Sequence, residues 1–114
     1  MPQYALLLYD NPGKWAQYSP EEMQKAIEKY FAWTNKPFTK ASQRLGEDMG
    51  KVVRNTNGKI HAADGPYSET KEVLGGFYVV EAANYDEAVK LALEHPHAEY
   101  GGTIEVRELW APRA

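Results

Sequence analysis

Two short runs, Tyr4–Tyr9 and Phe77–Ala82, are apolar at nearly every consecutive position rather than at alternate ones. Their length and punctuation predict strands, the first closed by the turn signal Asp10-Asn11-Pro12-Gly13. Successive side chains of a strand point to opposite faces, so Tyr4, Leu6 and Leu8 share one face of the first run and Ala5, Leu7 and Tyr9 the other. Phe77 and Val79 likewise stand opposite Tyr78, Val80 and Ala82. No face of either strand suits water, so both strands need cover on two sides.

The cover has to come from few elements. Ser19-Pro20-Glu21-Glu22 is a helix start with an N-cap serine, a proline at the first helical position and a glutamate placed to close a capping box. Met23, Ile27, Tyr30, Phe31 and Thr34 follow at helical spacing until Pro37 interrupts them, and residues 38–43 are expected to resume as another helical turn or two. Lys51–Arg54 and Lys59–Ala62 flank Thr56-Asn57-Gly58, the signal of a type I′ hairpin. Asp64-Gly65-Pro66 ends that hairpin, and a polar loop is expected as far as Gly75-Gly76. Asn84 with Glu87 repeats the cap signature, and Tyr85, Ala88, Leu91 and Ala92 form the stripe of a second helix that stops before Pro96. After Gly101-Gly102, Ile104 and Val106 alternate with Glu105 and Arg107 in a last strand.

Length and composition narrow the function classes. A chain of 114 residues with 43% hydrophobic side chains fits one domain, residues 1–114, with material for one core. A net charge of −3 has the wrong sign for a phosphate backbone, so nucleic acid is not expected as a partner. The absence of cysteine excludes disulfides, thiolate metal sites and thiol nucleophiles. No apolar run approaches a membrane span and the N-terminus has no signal-like pattern, so no membrane partner and a cytoplasmic location are expected. Strand–helix–strand crossovers of one hand place both helices on the same sheet face and leave the other bare. A second copy packed about a two-fold axis is the economical cover, which predicts a homodimer with room for a small ligand between helices and sheet edge.

Asp64-Gly65-Pro66-Tyr67-Ser68-Glu69-Thr70-Lys71-Glu72, followed by Leu74-Gly75-Gly76-Phe77-Tyr78, resembles the signature of the DGPF-type branch of the YCII-related family, with tyrosine where that name has phenylalanine. Val53-Arg54, Asn57-Gly58 and Gly101-Gly102-Thr103-Ile104-Glu105-Val106-Arg107 extend the likeness from about residue 52 onward. The resemblance implies an α+β, ferredoxin-like βαββαβ fold with an extra hairpin strand, pairing into a dimeric α+β barrel. Two functional directions stand beside it: a small-molecule-binding dimer acting as a cofactor-independent enzyme with a histidine acid/base on a small polar or aromatic metabolite, or, since the resembled branch often accompanies sigma-factor-like regulators, a non-catalytic ligand-binding or regulatory interaction protein. The wider family includes a dehydrochlorinase of a chlorinated hydroxyquinol whose proposed machinery is a histidine and an aspartate. Its aspartate falls in an Asp-Pro-Phe segment after the second helix, where this chain has His95-Pro96-His97, so that pair does not carry over.

His97, just before the Gly-Gly pair, is the candidate general acid/base, with Asp64 or Glu69 as the carboxylate that orients it; helix-end packing for the histidine and turn formation for Asp64 are the structural alternatives. His95 reads as structural more readily than His97. Tyr67, Tyr78 and Arg54 are the candidate substrate-binding side chains: two aromatic bodies with polar tips, and a cation for a carboxylate. No metal is expected, because Pro96 constrains the one His-x-His pair and no helical ligand spacing exists. No cofactor is expected either, since neither Gly-Gly pair opens a helix as a phosphate loop does.

Overall fold

The computed structural model describes residues 1–67 and 71–111. Its strands are β1 (Gln3–Asp10), β2 (Thr39–Arg44), β3 (Lys51–Thr56), β4 (Lys59–Asp64), β5 (Val73–Glu81) and β6 (Thr103–Glu108). Its helices are α1 (Pro20–Thr34), α2 (Tyr85–Leu93) and the one-turn α3 (Pro96–Glu99), with a 3-10 turn at Lys14–Gln17. Four strands form one antiparallel sheet in the order β2-β5-β1-β6, the ferredoxin-like arrangement, while β3 and β4 form a separate two-stranded sheet inserted between β2 and β5.

The capping signals act as read. The Ser19 hydroxyl accepts from the Glu22 amide at 3.1 Å and the Glu22 carboxylate accepts from the Ser19 amide at 2.9 Å, so two free helix-end donors are satisfied at once. Asn84 makes one half of that arrangement at α2, its Oδ1 accepting from the Glu87 amide at 3.0 Å. Both helices lie on one face of the sheet: Trp33 of α1 and Ala88 and Ala92 of α2 bury Tyr4, Leu6, Leu8, Tyr78 and Val80. The other face carries Ala5, buried, and Leu7 of β1 beside Val79 and Phe77 of β5, all three half-buried, with none of the described helices over it.

Three expectations need correction. Residues 39–44 are strand β2, not a continuation of helix; Pro37 ends α1, and the pairing of Ala41 with Val79 and Gln43 with Phe77 outweighs a weak local pattern. Gly75-Gly76 sits inside β5 rather than before it. Gly75 is the extra residue of a bulge opposite β1, and a Cβ on Gly76 would stand 2.8 Å from the Gln43 carbonyl, so only glycine lets β2 come this close. The face of α1 is also rotated from the predicted stripe: Ala26 and Trp33 enter the core, while Ile27 and Phe31 remain exposed.

Candidate functional site

The apolar residues that α1 withholds from the core have another use. Met23, Ile27 and Phe31 form one wall of a cavity of about 850 Å³, open to one side; β5 and the end of β2 form its other walls, with Arg44 at the latter. Its volume falls in the range of small-molecule sites. Asp10, Tyr30 and His97 line it as well, and they form one connected chain of polar groups.

Alternation along β1 puts Asp10 on the same side as Leu6 and Leu8, so the helix-facing row of that strand ends in a carboxylate. Lys14 holds one Asp10 oxygen at 3.0 Å and the Trp15 indole N–H donates to the other at 3.3 Å. His97 Nε2 lies 3.7 Å from Asp10 Oδ2 and 2.9 Å from the Tyr9 carbonyl oxygen. A carbonyl can only accept, so Nε2 carries the proton in the neutral ring. Nδ1 is then the lone pair, and the Tyr30 hydroxyl donates to it at 2.7 Å. Burial, reinforced by the Asp10 charge, pushes the Tyr30 phenol far above its ordinary value of 10.0, which keeps it a phenol.

The second histidine has a different task. His95 caps α3, its Nδ1 accepting from the His97 amide at 3.0 Å. The residue is 1% exposed, with its ring centroid 4.5 Å from those of both Trp33 and Tyr78, and its Nε2 is buried with no hydrogen-bond partner among the described residues. Burial, and then His97 beside it, lowers its pKa from 6.5 to about 3. A neutral ring is what a nitrogen acceptor requires.

Of the residues singled out from sequence, His97 and Tyr78 meet at the cavity; the Tyr78 hydroxyl donates to the Tyr30 carbonyl at 3.0 Å and braces the helix turn that presents Tyr30. The others do not join them. Asp64 is exposed at the end of β4 and pairs with Lys51 across the hairpin, so it does not orient His97; Asp10 stands in that place. Arg54 stacks over the Tyr67 ring at 5.0 Å, outside the cavity, which removes both from substrate binding there. Glu69 lies outside the described residues. Among the described residues no group of three or more histidine and carboxylate side chains is placed to hold a metal ion, and no helix is long and apolar enough to cross a membrane.

Residues 2–112 match the YCII-related domain. An uncharacterised protein of Rhizobium meliloti (strain 1021) is 29% identical over 113 residues, covering 93% of this chain and 90% of that one. Among solved structures, the chain is similar to the 5-chloro-2-hydroxyhydroquinone dehydrochlorinase of Burkholderia phenoliruptrix AC1100 in complex with 2,5-dihydroxybenzoquinone. The TM-score is 0.55 at 16% identity, covering 96% of this chain and 93% of that one, a likeness of fold.

Proposed function

The chain belongs to the YCII-related family, and from that premise and the polar chain at the cavity we propose an enzyme that moves a proton on a small molecule, with Tyr30 and His97 as a two-membered relay. One observation carries this reading. Both ring nitrogens of His97 are engaged by protein groups and the residue is 3% exposed, so a ligand exchanges protons with it through the Tyr30 hydroxyl. In the base direction, the Tyr30 oxygen accepts the substrate proton while its own proton passes to His97 Nδ1. The imidazolium formed is flanked by the Asp10 carboxylate, and the substrate keeps the electron pair. In the acid direction, Nδ1–H donates to the Tyr30 oxygen and the phenol proton turns toward the ligand.

The apolar wall of Met23, Ile27 and Phe31 suits a flat or ring-shaped substrate, with Arg44, paired at 3.3 Å with Glu47 on an exposed edge, within reach of an anionic or oxygenated group that displaces that carboxylate. A hydroxylated benzene or quinone of the kind named for the similar dehydrochlorinase has these features. Departure of a leaving group after proton removal is the chemistry such a relay supports. The uncovered sheet face of Ala5, Leu7, Phe77 and Val79 supports pairing of two copies into a dimeric barrel.

The test is solvent-deuterium incorporation and chloride release on a panel of hydroxylated and chlorinated benzenes and quinones. Tyr30→Phe keeps the ring and removes the relay oxygen, so it should slow turnover about 10²-fold to 10⁴-fold with little change in thermal midpoint. Turnover by Tyr30→Phe at the wild-type rate, or no reaction with any member of the panel, would sink this reading.

A further inference from the structure

Among the described residues, the hairpin of β3 and β4 pairs with no strand of the main sheet, and one of its faces is left open. It is a separate two-stranded sheet, and every residue of β4 is exposed. A two-stranded ribbon alone in water is marginal at best. Yet six residue pairs stay in register, from Lys51 with Asp64 to Thr56 with Lys59, around a turn with positive φ at Asn57 and Gly58.

Alternation makes the two faces of the ribbon unlike. On one, Arg54 and Lys59 bring charge beside His61, Tyr67 covers Arg54, and Val52, half-buried, pairs with Ala63 near the base. On the other, Val53, Ala62 and Ile60 are adjacent, with Val53 68% and Ile60 74% exposed. This second face has no uncompensated charge: Lys51 pairs with Asp64 at its base, and Asn55 Oδ1 accepts the Gly58 amide at its tip. An apolar face without net charge fits another protein surface, not a phosphate backbone.

The dimensions point to a second copy as that surface. A compact chain of this length has a radius of gyration of about 13 Å; here it is 16.2 Å, in a slab 49 × 44 × 19 Å. Four strands about 4.8 Å apart, with six residues rising about 3.3 Å each, offer a helix-free sheet face of about 400 Å². A stable dimer hides about 800 Å² on each partner. One side of the ribbon is worth about 200 Å² by the same spacing, and each protomer gives one arm and receives the other, which brings the contact to the usual size.

We propose that the β3–β4 hairpin is a dimerisation arm, with the Val53, Ala62 and Ile60 face packed against a second copy of this chain. The proposal rests on the pairing of two copies through the open sheet face, and it adds the part of the contact that the sheet lacks.

Sedimentation of the full chain from nanomolar to micromolar concentration tests it, comparing wild type with the double variant Val53→Ser/Ile60→Ser, with Leu7→Asp on the sheet face and with Arg54→Ser on the covered face of the arm. Val53 and Ile60 are exposed within the protomer, so their substitution should leave its circular dichroism unchanged. The dimer dissociation constant of the double variant should rise about 100-fold or more, because four apolar side chains leave the contact. Arg54→Ser should shift it less than about threefold. If Leu7→Asp separates the copies while the double variant associates as tightly as wild type, the arm proposal is overturned and sheet pairing stands. A wild-type chain that remains monomeric throughout overturns both.

Discussion

Gly102→Ala is expected to slow turnover at the proposed relay about 10²-fold and to lower the thermal midpoint by several degrees. A Cβ at this position would stand 2.2 Å from His97 Nε2, 2.5 Å from Cδ2 and 2.6 Å from Cε1, well inside contact distance. Neither partner can step aside. The ring is pinned by Tyr30 at 2.7 Å and the Tyr9 carbonyl at 2.9 Å, and its backbone amide by His95 at 3.0 Å. Gly102 in turn donates its amide to the His97 carbonyl at 2.9 Å, which fixes its Cα over the ring. Overfilling a packed site of this kind costs about 1–3 kcal/mol. A displacement of about 1 Å at a reacting group can lower turnover about 10²-fold, and here the displaced group is the relay base. The clash also makes a specific double-variant forecast: His97→Ala in the Gly102→Ala background should cost less stability than His97→Ala alone, because removing the ring makes room for the methyl group. Strict additivity of the two changes in thermal unfolding would show that the collision is not the cause.

The same glycine shows where sequence reasoning stops. Gly101-Gly102 stands out as a pair before the last strand, and its spacing marks only the entry to that strand. Its cause is a ring five residues back, visible only after α3 folds over β6. The relay divides along the same line. His97 is legible as a titratable group near a loop, but its partners come from the ends of two other elements. Tyr30 looks like one more apolar position of an amphipathic helix, because periodicity does not register a hydroxyl. Asp10 looks like the start of a turn; continuing the alternation of β1 by one residue places it beside Leu8 on the helix-facing row, a signal the turn reading hides. The carboxylate sought for His97 in Asp64 is instead consumed by Lys51 across the hairpin.

The fold was more legible because its signals are local. Both capping motifs act as expected, and the Asn57-Gly58 turn sets the register of β3 and β4. Strand β2 escapes because Thr39–Arg44 has no strong period of its own and takes its conformation from the exposed edge of β5. The position of the hairpin escapes for the opposite reason: its pairing is local and strong, so nothing in its sequence says that it stands apart from the main sheet. Likewise, Met23, Ile27 and Phe31 read as core by spacing alone. Only packing shows that Trp33 and Ala26 fill the core and leave that row facing the cavity.

Acid should unfold this protein through His95, and His95→Asn should remove that sensitivity. The native ring ionises at about 3, below its ordinary 6.5, because burial and the neighbouring His97 oppose its charge. The unfolded chain ionises it near 6.5. Between these values the unfolded state binds a proton that the folded state refuses, so the contribution to stability is whole above about pH 6.5 and falls as the solution is acidified toward about pH 3. The slope for one such proton is about 1.4 kcal/mol per pH unit, and the loss approaches about 5 kcal/mol at the lower limit. That is a large share of the 5–15 kcal/mol that ordinarily holds a domain of this size. Protonation also takes away the Nδ1 lone pair that holds the His97 amide, so the helix start and the relay should be lost together. Asparagine keeps an acceptor at the cap and has no proton to gain. Urea unfolding at several pH values between 4 and 6 should therefore give His95→Asn a slope shallower than wild type by about one proton. Equal slopes would mean that His95 is charged in the native state or never buried, and the cap that places His97 would need another explanation.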